Sequence, residues 1–275
     1  MPTEISNIQG GGTVEELTIT SNGTYNPPTG IDGYAPVVVN VPQDGGPPES
    51  AFNITGDCDY KFKSGSWDWF INNYKNQITT SDITSTKAMF YGSKVSSIPF
   101  ELNCKYDSFA RCQEMFKEAY NLTKAPRINI VNSDRIVDLP NLSYMFSYCG
   151  NLIDIDYDYF SRWYSEEQWE QINNGSGWNQ CNGIFYCCHS LRKHPDISMI
   201  NTTYAYSGLY YEWFTECFCL DEILDLPVWN STLTNNRFNN ICYYTRRLKN
   251  LTFKTNSDST PKTANWKEQY IDLTE

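Results

Sequence analysis

The sequence predicts an α/β repeat fold: a solenoid of stacked helix-turn-strand units preceded by a small β module. Three observations lead there. The stretch Leu142–Ile155, LSYMFSYCGNLIDI, places Leu142, Met145, Phe146 and Cys149 at i, i+3, i+4 and i+7. That spacing is one face of a short helix. A Gly150-Asn151 break and an extended segment with Leu152 and Ile155 follow. The second observation is recurrence. The anchors Phe90, Phe116, Phe146, Phe185, Phe214 and Cys242 are spaced by 26, 30, 39, 29 and 28 residues. Periods of roughly 20–50 residues mark repeat architectures, in which each unit covers its neighbour's apolar face. The third is a composition break at Gln43–Ser50, QDGGPPES, a Gly/Pro-rich linker.

The chain divides at these signals. Residues 1–42 form the β module, 43–50 the linker, 51–85 an N-terminal cap, and 86–275 the repeats with a C-terminal cap. Before the linker, VEELTITSNGTY alternates apolar and polar residues around an Asn22-Gly23 turn. PVVVNVP supplies a second strand, with Val37, Val38, Val39 and Val41. Two strands alone are marginal in water, so the module needs something to pair with. Ser66–Ile71, SWDWFI, closes one end of the core. Trp266 and Ile271–Leu273 close the other.

Composition excludes several function classes. The chain has 275 residues, with 21 basic and 32 acidic side chains and a net charge of −11. Nucleic-acid binding rests on Lys and Arg neutralising phosphates, so nucleic acid is not an expected partner. An anionic membrane surface is disfavoured for the same reason. No run of 18 apolar residues indicates a span. The N-terminal MPTEISNIQGGG carries no apolar signal-peptide core. Of the ten cysteines, Cys149, Cys188 and Cys217 share one repeat position and Cys112 and Cys181 another, so the ten read as a reduced set of small buried hydrophobes. Two-plus-two metal-ligand spacing is absent, and His189 and His194 are the two histidines, so neither metal nor cofactor is expected. No nucleophile elbow, phosphate loop or HExxH helix is present, so the chain reads as a binder and not an enzyme.

The 39-residue interval holds an insertion near Tyr159–Gln180. SRWYSEEQWEQIN forms an amphipathic helix with Trp163 and Trp169 on one side, and NNGSGWN a loop carrying Trp178. Insertions in repeat proteins project from one face and often carry binding. Asp154, Asp156 and Asp158 alternate, so a strand would place them together. They begin like a calcium loop, but Tyr159 stands where that loop needs glycine. These three tryptophans and three aspartates are the candidate ligand-binding residues, with packing of the helix on the solenoid as the alternative reading of Trp163 and Trp169.

Two resemblances add to this reading. Residues 19–42, ITSNGTYNPPTGIDGYAPVVVNVP, resemble a short segment common in structural proteins of tailed bacteriophages of gut bacteria. The resemblance implies a virion location, with Val37, Val38, Val39 and Val41 docking to other virion proteins. MFKEAYNLTKAP, MFSYCGNLIDI and IFYCCHSLRKHP resemble BspA-type leucine-rich repeats over about 86–255. That implies a leucine-rich-repeat-like solenoid used for adhesion or recognition. Together they imply a virion surface protein, of a tail fibre, tail tip or head fibre. It attaches by its N-terminus, is a homo-oligomer on the particle, and recognises a host-surface or mucosal glycan or protein. The alternative is a purely structural decoration or tail assembly protein.

Overall fold

A computed structural model describes residues 52–65, 78–105, 112–130, 141–165, 167–169, 181–199, 212–226 and 241–253, with short pieces at 23–25, 37–39, 68, 71–72 and 75–76. The stretches expected as helices are runs of turns instead. In one unit the Met89, Tyr91 and Ser93 amides donate three residues back, to the Thr86, Ala88 and Phe90 carbonyls. The alternate amides of Ala88, Phe90 and Gly92 leave the unit. They donate to the Gln113, Met115 and Lys117 carbonyls of the next. The same pattern carries Glu114, Phe116 and Glu118 onto Ser143, Met145 and Ser147, and Tyr144, Phe146 and Tyr148 onto Asn182, Ile184 and Tyr186.

This alternation requires a special backbone. Two residues before the aromatic anchor, Tyr60, Ala88, Glu114, Tyr144, Gly183 and Glu212 all have φ between 49° and 58°. Two residues after it, Ser64, Gly92, Glu118, Tyr148, Cys187, Glu216 and Tyr244 have φ between 56° and 66°. Left-handed residues end a helix at once. A helix would spend every amide on its own segment and leave none for the neighbour. The i, i+3, i+4, i+7 spacing fits both structures because both bury the same four side chains: Leu142, Met145, Phe146 and Cys149 are all buried here.

The anchors form one stack. Phe62, Phe90, Phe116, Phe146, Phe185 and Phe214 are fully buried, with successive ring centroids 5.1, 5.4, 5.1, 5.6 and 5.6 Å apart and ring planes within 20° of parallel. The first ring lies in the stretch 51–85 expected as the N-terminal cap. Cys58–Gly65 is a further unit, with both left-handed residues and amides bonded onto Lys87, Met89 and Tyr91. Lys61 disguises it by standing where the next three units have Met; it is buried, with Nζ 3.7 Å from Cys58 Sγ.

All ten cysteines are free. They do more than fill space. Cys149, Cys188 and Cys217 donate S–H to the Phe116, Phe146 and Phe185 carbonyls of the preceding unit at 2.9, 3.1 and 3.2 Å. Each of these carbonyls already accepts an amide from its own unit. At the next step Thr245 Oγ1 does the same to the Phe214 carbonyl at 2.7 Å. The column therefore gives buried carbonyls a second donor.

Strands flank the turns. β1 (Gly23–Tyr25), β2 (Val37–Val39), β3 (Phe52–Asp57), β4 (Ile78–Ser85), β5 (Leu102–Cys104) and β6 (Ile128–Ile130) form one sheet in that order. The pairs from β3 to β6 are parallel, and β1 to β3 antiparallel. β7 (Glu222–Leu226) and β8 (Asn250–Phe253) make a parallel pair. The linker at 43–50 and the expected C-terminal cap lie outside the described residues.

Two stability outcomes follow from this geometry. Phe146→Ala removes a ring from the middle of the stack and should cost roughly 3–5 kcal/mol in denaturant unfolding. Ala88→Gly should act oppositely. Ala88 holds φ at 49°, which strains any residue with a Cβ. Relief of that strain, offset by the flexibility glycine adds to the unfolded chain, leaves a gain of roughly 0.5–1 kcal/mol.

Candidate functional site

In-register stacking turns each repeat position into a column on the surface. The columns seven and eight residues after the stacked anchor carry charge. One reads Lys124, Asp154, Lys193, Glu222 and Asn250, and the other Thr123, Ile153, Arg192, Asp221 and Lys249. Signs alternate along both, which avoids like charges in register. Lys124 Nζ lies 3.7 Å from Asp154 Oδ2, Lys249 Nζ 3.9 Å from Asp221 Oδ2, and Asn250 Nδ2 donates to Glu222 Oε1 at 2.9 Å.

The three expected aspartates share this face. Asp154 and Asp156 both approach Lys124, and Asp156 and Asp158 both accept from Arg162, at 3.2 and 3.1 Å. Two basic side chains thus answer three carboxylates. Partial burial pushes the Asp156 pKa up. The Arg162 hydrogen bond and the Lys124 charge outweigh it, so the carboxyl sits below its ordinary value.

The expected tryptophans divide differently. Trp163 and Trp169 are buried, so they offer no face to a ligand, contrary to their assignment as ligand-binding residues. Trp163 lies edge-on to Phe160, which meets Phe185 of the stack, and Trp169 lies edge-on to Tyr164. Trp169 Nε1 donates to the Ser161 carbonyl at 3.1 Å. The insertion is therefore a second aromatic layer fastened to the Phe stack, and its described part has helix at Ser161–Trp163 and Glu167–Trp169. Trp178 and Val41 lie outside the described residues. Val37, Val38 and Val39, expected to dock to a partner, have their backbone in β2, paired with β1 on one side and, from Val38 and Val39, with β3 on the other.

Sequence reasoning passed over the concave feature of this face. An open groove of about 730 Å³ is lined by Tyr157, Arg192, Lys193, His194, Cys219, Asp221, Glu222, Arg247 and Lys249. Arg247 and Lys249 are committed to Asp221, at 3.0 and 3.9 Å. Arg192 and Lys193 are exposed, and among the described residues neither has an ion pair. Tyr157 is 59% exposed at the groove. His194 forms the floor, buried edge-on to Phe214, with Nδ1 2.7 Å from the Pro195 carbonyl. The groove thus offers two uncommitted cations, an exposed aromatic ring and carboxylates at its rim. That set suits a ligand with an anionic group and hydroxyls.

The electrostatic reading of the aspartates has a direct check. Arg162→Gln should raise the Asp156 pKa toward its ordinary 3.8 in a carboxyl-detected NMR titration. A depressed carboxyl stabilises the fold at pH above its unfolded value, and the contribution fades as pH falls through the folded value. The variant should therefore lose part of the acid-side slope of stability and little near neutral pH.

No family model matches the chain, no curated protein matches it, and no solved structure matches it. Among the described residues no helix is long and apolar enough to cross a membrane.

Proposed function

We propose that this chain is a surface protein of a tailed-phage virion that displays a leucine-rich-repeat-like solenoid, and that the groove beside Tyr157 binds an anionic glycan of the host or mucosal surface. The observation that carries the recognition role is the groove, where Arg192 and Lys193 stand uncommitted on a chain of net charge −11. An unpaired cation pair on an acidic surface draws a ligand of opposite charge to one place. Guanidinium and ammonium meet carboxylate or sulfate, the Tyr157 ring covers an apolar sugar face, and Asp221 and Glu222 accept from hydroxyls. Support for the virion location comes from residues 19–42 and their resemblance to phage structural proteins. The role is binding; the catalytic motifs sought in the sequence are absent.

The test uses the full chain and the particles of the phage whose genome encodes it. Antibody raised against the chain should decorate purified particles in electron micrographs. The purified chain should bind sialylated or sulfated glycans on an array in preference to neutral ones. The double variant Arg192→Glu with Lys193→Glu should lose most of that signal while keeping its melting temperature. Unlabelled particles overturn the virion reading. Equal binding by the double variant overturns the groove.

A further inference from the structure

The columns two and four residues after the stacked anchor bring together a second set of side chains. Cys187 and His189 belong to one unit, and Glu216 to the next, where it occupies the same position as Cys187. Cys187 Sγ lies 3.5 Å from Glu216 Oε2, and His189 Nε2 lies 3.6 Å from the same oxygen. The three donor atoms all fall within 4.8 Å of one another. Around a tetrahedral zinc ion, with bonds of about 2.3 Å to sulfur and about 2.0–2.2 Å to nitrogen and oxygen, neighbouring donors sit roughly 3.3–3.6 Å apart. The two contacts already match that spacing.

We propose that Cys187, His189 and Glu216 form a binding site for a zinc-like divalent cation, with three protein ligands and a fourth position open to solvent. The donor set selects the metal. Thiolate and imidazole suit zinc and its neighbours and disfavour calcium and magnesium, which take oxygen. The surroundings hold the ligands in place. The His189 ring stacks on Phe218 with centroids 4.7 Å apart and planes 5° from parallel. Cys187 is fixed by its left-handed backbone and by an amide bonded to Thr215 of the next unit. The His189 side chain is 45% exposed and Glu216 33%, so a cation reaches two of the three donors from solvent, while Cys187 itself is buried.

A thiol, an imidazole and a carboxylate in one cluster also describe a nucleophile with its base. The order of contacts rules against that use. Glu216 sits between Cys187 and His189, whereas a nucleophile needs the imidazole against its own proton. Burial, reinforced by the Glu216 carboxylate, pushes the Cys187 thiol up to about 12. That is the opposite of an activated cysteine. A cation reverses this balance. It binds the thiolate, the thiol proton leaves to solvent, and the Glu216 charge becomes attractive. The bound ion also ties two consecutive units across the stack, which links occupancy to stability.

Cobalt(II) and zinc(II) salts, added to the full reduced chain, provide the probes. One equivalent of cobalt should give tetrahedral d–d bands and a thiolate-to-cobalt charge-transfer band, both displaced by zinc, and zinc should raise the melting temperature. Cys187→Ser should abolish the charge-transfer band and weaken binding roughly 100-fold or more, since even changes outside the ligand shell cost about 10–100-fold. Glu216→Gln and His189→Gln should weaken binding while leaving the metal-free melting temperature within about a degree or two of the parent. These two variants decide the matter if Cys187→Ser folds poorly. Cys219→Ser, at the one half-exposed cysteine, should leave the cobalt spectrum unchanged. Absence of a charge-transfer band from the parent, or equal binding by Glu216→Gln and His189→Gln, overturns the site.

Discussion

The division of backbone amides between a unit and its neighbour is the constraint from which the rest of the structure follows. Alternate amides bond inward, three residues back, and the others bond outward to the next unit. The left-handed pair two residues on either side of the anchor makes that division possible. Eleven of the described residues with side chains accept an unfavourable φ for it, at about 1–2 kcal/mol each. The outward bonds compensate, since a buried amide left without a partner costs a comparable amount. They also fix the register, which aligns six phenylalanines within 20° of parallel.

Register converts sequence positions into columns, and each column then obeys its own chemistry. The inward column three residues after the anchor needs a small donor for a buried carbonyl, and Cys149, Cys188, Cys217 and Thr245 supply it. Ala119 stands in the same column without a donor, so the Phe90 carbonyl has the Ser93 amide but no thiol from the next unit. Outward columns face the opposite demand. Each side chain stands beside its counterpart one repeat away, so equal charges would repel and opposite ones attract. The Lys124–Asp154 and Asp221–Lys249 pairs follow from that rule. Arg192 and Lys193 depart from it by having no ion partner among the described residues, and the groove lies where they do.

The burial of the anchors and of the cysteine column was legible because apolar spacing reports burial directly. The backbone was not. Four apolar side chains at i, i+3, i+4 and i+7 are buried in a helix and in this turn stack alike, so the pattern cannot separate them. The left-handed positions are filled by Tyr, Glu, Ala and Cys as readily as by Gly, and these residues carry no turn signal. Cys58–Gly65 was hidden by Lys61, a charged residue at a core position. Trp163 and Trp169 were legible as one apolar side that either packs or binds, and burial against the aromatic layer decides for packing. Nothing in the sequence marks Arg192 and Lys193 as lining a groove, because that depends on which units stand beside them. Glu216 could not be joined to Cys187 and His189 without the register, because it comes from the neighbouring unit.

The sheet order revises how an N-terminal anchor could work. A strand donated to a partner must present an edge that its own sheet leaves open. β2 does not qualify, because Val38 and Val39 are paired with both β1 and β3. Among the described strands the outer edge belongs to β1, Gly23–Tyr25. Val38 and Val39 have a different effect. By pairing antiparallel to β3 they cover the edge of a parallel sheet that begins with β3 and β4. Exposed strand edges invite association with other chains, so this hairpin shields the first strand of the stack. Removing it would expose a backbone edge that the intact chain keeps satisfied. Protection of the sheet edge then belongs to β2, and β1 is the strand whose edge stays open to strand addition.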